Sequence, residues 1–148
     1  MRIGRRLDQP DSGWTFIESI IVIAIVLILS SSVAFSAMRY VEQARRASAQ
    51  AQVAAFGLAL HAYFMDTAAY PSEAQGLRAL WEKPTLAPVP PGWTGPYVER
   101  PIGPDPWGGR YRYERPGPGG LPFLVLSLGA DGLKGGTGNA ADVSSAGE

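Results

Sequence analysis

The chain has 148 residues with 13 Lys+Arg, 13 Asp+Glu and a formal net charge of zero, which sets one domain plus a short extra segment and argues against a nucleic-acid binder. With no cysteine and one histidine, His61, it has no disulfide, no catalytic thiol, no thiolate-bound metal and no multi-histidine centre. After Pro10 the next proline is Pro71, and the other prolines all lie beyond it, so only the first half is open to a long helix.

Arg2, Arg5 and Arg6 precede an apolar run, with Asp8 and Asp11 among them. Residues 19–38 carry no charge, and Ile20–Leu29 is almost purely aliphatic. A helix of about twenty residues spans roughly 30 Å, the thickness of a bilayer core. Ser30, Ser31, Ser32 and Ser36 are tolerable in such a helix. Two readings compete. One is a secretory signal peptide with a small-residue cleavage site at Ala34-Phe35-Ser36. The other is a retained membrane helix. Three arginines lie before the run and three (Arg39, Arg45, Arg46) after it, so charge does not set orientation. The residues after the run favour retention. Residues 38–66 hold no proline and one glycine, and Ala44, Ala47, Ala51, Ala54, Ala55, Leu58 and Ala62 recur at helical spacing. One helix over about 14–66 is predicted. His61, mid-helix, reads as packed or solvent-facing rather than catalytic.

The apolar segment has one charge near its start, Glu18. A carboxylate at mid-bilayer costs on the order of 2.5–3.5 kcal/mol and usually has a partner or a task; the plain alternative is a carboxylate at the interface. Gly13-Trp14-Thr15-Phe16-Ile17-Glu18, after a short basic leader and before an apolar helix, resembles the class III signal of type IV pilins and pseudopilins. The resemblance implies cutting by a prepilin peptidase between Gly13 and Trp14, N-methylation of Trp14, and a glutamate at the fifth position of the processed chain, Glu18. Trp14 stands where the family usually has Phe or Met. Phe35 stands where its helix commonly has proline.

Beyond Pro71, Glu73–Glu82 is predicted as a short helix with Ser72 as N-cap and Leu77, Leu80 and Trp81 on one face. Residues 85–96 form a loop, because Pro88, Pro90 and Pro91 exclude regular structure. Residues 110–115 alternate with period two, placing Tyr111 and Tyr113 on one face of a half-buried strand. Residues 116–120 are a turn, and Phe123–Leu128 is a more buried strand. Trp93, Tyr97, Trp107, Tyr111 and Tyr113 read as core packing rather than a sugar- or peptide-binding face.

The segment Leu128–Val143 is a glycine-rich excursion with Asp131 and Asp142 near its ends. Calcium takes six to eight oxygens and accepts main-chain carbonyls. The spacing is not that of an EF-hand, and from residue chemistry alone a plain turn with solvated aspartates is the favoured reading. It is not a phosphate loop, because no Lys-Ser/Thr pair comes after the glycines.

Three later segments narrow the resemblance. Tyr70–Leu80, the Asp105-Pro106-Trp107-Gly108 segment with Tyr111, and Ser127–Val143 are similar to segments of the major pseudopilin of type II secretion systems. For the last of these the resemblance implies a calcium loop at about 127–143, with Asp131 and Asp142 as side-chain ligands and Leu128 as a carbonyl ligand. Ser127 and a carbonyl near Asn139 are further candidates. The fold implied is α+β and pilin-like: a long N-terminal helix packed on a small antiparallel sheet. The organisation implied is a leader at 1–13, a membrane and filament-core helix at 14–38, and a periplasmic domain at 39–148.

The function implied is that of a non-enzymatic subunit, anchored in the bacterial inner membrane and polymerised into a periplasmic filament that helps export folded proteins. Its partners would be copies of itself, minor pseudopilins, the prepilin peptidase and an inner-membrane assembly platform. The alternatives are a minor pseudopilin or type IV pilus subunit, and a secreted calcium-binding domain with an ordinary signal peptide.

Overall fold

The computed structural model describes residues 12–147; the side chains of residues 12–14, 32, 34 and 35 lie outside that description. Residues 1–11 of the expected leader therefore fall outside it, as do the side chains of Trp14 and Phe35. The chain divides into two compact units, Met1–Val41 and Glu42–Glu148. One helix, α1, runs Ser12–Thr67, continuous through Phe35. This agrees closely with the predicted span.

In the first unit α1 is apolar all round, and its large side chains from Phe16 to Val33 are each at least half exposed. It is long and apolar enough to cross a membrane. Ser19 and Ser31 turn their hydroxyls back onto the carbonyls of Thr15 and Leu27, at 2.8 and 2.7 Å. Each serine thereby satisfies its hydroxyl within the helix.

In the second unit α1 buries one stripe: Ala49, Val53, Phe56, Ala59, Leu60 and Tyr63, at three- and four-residue spacing. The stripe marked by alanine in the sequence is a different face. Ala44, Ala47, Ala51, Ala54, Ala55, Leu58 and Ala62 are all exposed. The physical reason is size. Val53, Phe56, Leu60 and Tyr63 remove far more apolar surface from water than alanine can, and they choose the buried side. Ala68, at φ 57, ends the helix, its N–H bonding to the Phe64 carbonyl at 2.8 Å. That is a left-handed cap on a non-glycine residue.

The predicted helix at Glu73–Glu82 is shorter and tighter: a turn, then a 3₁₀ segment, Leu77–Leu80. Gly76, at φ 58, is left-handed and interrupts an α-helix there. Ser72 and Gln75 still bond reciprocally: the Ser72 N–H to Gln75 Oε1 at 2.9 Å, and the Gln75 N–H to Ser72 Oγ at 3.3 Å. Buried Gln75 also donates to the carbonyls of Leu86 and Pro88. The proline-rich loop is thus held by a side-chain amide in place of a backbone ladder.

The sheet has three antiparallel strands in the order β1 (Arg112–Glu114), β2 (Leu124–Ser127), β3 (Val143–Ser144). Tyr113 pairs with Val125, and Ser127 with Val143. Both faces of β2 are buried: Phe123 and Val125 pack with α1, whereas Leu124, Leu126 and Leu128 form a separate cluster. That alternation is the period-two rule of a strand with cover on both sides. Trp93, Tyr97, Trp107, Tyr111 and Tyr113 all pack against the core, as expected.

Candidate functional site

Two sets of residues stand out by sequence, one in each unit. Gly13 and Trp14 lie in the first turn of α1. Glu18 lies one turn after Trp14 and is exposed. Among residues 15–38 it is the one charged side chain.

The second set lies on the excursion between β2 and β3. These strands pair Ser127 with Val143, and one more step along the antiparallel register sets Leu128 opposite Asp142. The neck is closed by the Ala130 N–H on the Asn139 carbonyl at 3.2 Å. Gly129, at φ 64, sits so close to its neighbour that a Cβ would lie 2.9 Å from the Ala141 carbonyl oxygen. A side chain there would be strained in conformation and blocked in space.

Both aspartates turn onto the same short stretch. Asp131 Oδ1 accepts the Leu133 N–H, and Asp142 Oδ2 accepts the Gly135 N–H, each at 3.0 Å. The other oxygen of Asp142, Oδ1, is buried without a hydrogen-bond partner. A buried, unpartnered carboxylate oxygen is costly unless something compensates it, and an oxygen-seeking divalent cation is such a group. Among the described residues no three His, Cys, Asp or Glu side chains gather. The remaining ligands would therefore be neutral oxygens, carbonyls among them, which suits calcium. The residues thus fit the ion the resemblance implied. Lys134, within the same stretch, pairs with Glu114 at 3.8 Å.

Ser127 and Asn139, the looser candidates, have other engagements. The Ser127 hydroxyl is fully buried and donates to Asp105 Oδ2 at 2.5 Å. The Asn139 carbonyl takes the Ala130 N–H of the neck.

Sequence reasoning passes over two groups. Arg46 Nη1 donates to the Gly138 carbonyl at 3.2 Å, joining α1 to the excursion. Asp105 is a buried carboxylate, 5% exposed; the motif that contains it assigns it no role. Nearby Tyr111 has a buried hydroxyl with no partner. Burial first, and the negative charge of Asp105 second, push that phenol up to about 12. The signal for Asp105 lies in its flanks: an aspartate before Pro-Trp-Gly-Gly is set up to accept backbone N–H groups two and four residues on.

A long helix, apolar all round at its start and packed at its end on a small antiparallel sheet, defines a pilin-like protein. The crystal structure of the major pseudopilin from the type 2 secretion system of enterohaemorrhagic Escherichia coli matches it with a TM-score of 0.61 and 33% identity, covering 73% of this chain and 91% of that one. A sequence model of the family described as type II secretion system (T2SS), protein G, matches residues 36–146. The type II secretion system core protein G of Pseudomonas aeruginosa is 42% identical over 135 residues, covering 91% of this chain and 94% of the relative. The corresponding protein of Vibrio cholerae is 38% identical over 136 residues, covering 91% of both. The chain belongs to the type II secretion system protein G family.

Proposed function

We propose that the chain is a structural subunit of the type II secretion pseudopilus, anchored in the inner membrane by the first half of α1 and polymerised in the periplasm to help move folded proteins outward. The observation that carries this reading is Glu18, the one charge among residues 15–38, in the exposed apolar half of α1 of a chain of this family. Cleavage after Gly13 creates a cationic amine on Trp14, about one helical turn from Glu18. In a filament of staggered subunits, the carboxylate of one chain neutralises the amine of the next in a low-dielectric core. A buried ion pair of this kind adds little net stability, but leaving either partner alone is strongly unfavourable. It therefore selects register. The test is Glu18→Ala in a cell lacking the native protein: the variant enters the membrane normally and yields few or no filaments. Filaments at normal yield would remove the pairing from the account.

The excursion between β2 and β3 binds calcium in this reading. Asp131 and Asp142 supply charge, and the Leu128 carbonyl supplies a neutral oxygen. The bound ion neutralises the two carboxylates and closes a segment that otherwise has few backbone bonds of its own. Binding to the native state stabilises it by about 2.7 kcal/mol at a hundredfold excess over Kd. The full chain in detergent therefore melts higher with calcium than with chelator. Asp131→Ala abolishes the difference, and adding Asp142→Ala costs little more. A chelator-insensitive melt of the unsubstituted chain would exclude the ion while leaving the filament reading intact.

A further inference from the structure

The buried carboxylate of Asp105 lies outside the candidate ligand set, yet it joins its own tight turn to the last residue of β2. Its backbone closes a tight turn: the Asp105 N–H bonds to the Gly109 carbonyl at 2.8 Å, and the Gly108 N–H to the Asp105 carbonyl at 2.9 Å. Within that turn Oδ1 accepts two N–H groups, from Trp107 at 3.0 Å and Gly109 at 2.7 Å. Oδ2 faces the other way and accepts the Ser127 hydroxyl at 2.5 Å, across 22 residues of sequence. Ser127 Oγ in turn stands 3.4 Å from the Gly129 N–H. The hydroxyl thus spans Leu128, the residue whose carbonyl is a candidate ligand. On the far side, the Trp107 indole N–H donates to Glu42 Oε1 on α1 at 2.6 Å.

We propose that Asp105 is a positioning residue for the cation loop: held to α1 through Trp107, it fixes Ser127 and so aims the Leu128 carbonyl at the ion. The inference rests on the calcium reading above. A carboxylate that is 5% exposed, with three hydrogen bonds, is rigid. The hydroxyl it grips is fully buried at the last residue of β2. Gly129, two residues on, is left-handed and carries no side chain that could anchor the turn, so the anchors beside it are Ser127 and buried Leu128. Groups that orient metal ligands in this way typically change metal affinity by about 10–100-fold when removed.

The test uses the full chain in detergent, with calcium titrated calorimetrically into the parent, Ser127→Ala, Asp105→Asn and the double variant. Near-UV circular dichroism in chelator checks each fold. Asp105→Asn keeps the side-chain shape and the Oδ1 acceptor, so it carries the test alone if Ser127→Ala does not fold. It presents an amide N–H to Ser127, making the hydroxyl an acceptor where it had been a donor.

The expected result is a loss of about tenfold or more in calcium affinity for each single variant, no further loss in the double variant, and a native near-UV spectrum in chelator. A purely structural role would lower stability in chelator and leave the affinity alone, which overturns the proposal. Losses that multiply in the double variant also overturn it, since the two groups would then act separately. A parent that binds no calcium overturns this proposal together with the calcium reading. A parent that binds, with variants that bind equally well, overturns this proposal only.

Discussion

The two halves of α1 use the same helical backbone to meet different surroundings. Up to Val41 the helix is rich in Ile, Val and Leu, and every described side chain there is exposed. From Glu42 onward it is mixed in composition and buries one stripe of six residues. A helix that is apolar all round has no inward face to choose, so lipid or other helices must cover it. A helix with one buried stripe gets its cover from its own chain. The change falls close to Arg39, Glu42, Arg45 and Arg46, the first charges after Glu18. One continuous helix thus combines a segment long and apolar enough to cross a membrane with the spine of a folded body.

That contrast can be broken at several points. The largest effect belongs to Glu18→Ala, for which filaments are expected to disappear while membrane insertion persists. The next is Leu60→Ala. Leu60 is 0% exposed in the core, and its truncation should destabilise the second unit by about 2–5 kcal/mol. Leu27→Ala, at 62% exposure, should leave the melt of the same unit unchanged. Equal effects at the two sites, measured by thermal unfolding in detergent, would erase the distinction between the halves.

A smaller effect concerns Asp66, near the end of α1. Its carboxylate accepts the hydroxyls of Thr94 and Tyr97, the latter at 2.8 Å. These bonds, Thr94 first, hold it below the ordinary 3.8. A carboxyl depressed in the folded state adds stability that is present above the unfolded value and is lost as pH falls through the folded one. Asp66→Asn should therefore melt below the parent at pH 6, and the gap should narrow below about pH 3.8. A gap constant with pH would show that the carboxylate charge is irrelevant to the clasp.

Much of this was legible in the sequence, for reasons that differ by element. The span of α1 was readable because sixty residues without an interior proline leave few alternatives. The two longer strands were readable from alternation at Tyr111 and Tyr113 and from the apolar run Phe123–Leu128. Which face of α1 turns inward was not, because alanine spacing marks helix without marking burial. β3 escaped notice: Val143–Ser144 is too short to show a period, and its pairing partner is supplied by β2. At the candidate site, the aspartates stood out by type and by the glycines around them. Asp105 did not, because its role comes from Ser127, brought to it only by the fold.

The central claim is that the chain is a processed filament subunit, and the mass of its N-terminus in the native host tests that most directly. The account predicts a chain beginning at Trp14, one methyl group heavier than the bare sequence, with α1 retained. A chain beginning near Ala37 would contradict it: the apolar half would then be a discarded signal and Glu18 would have no filament to order.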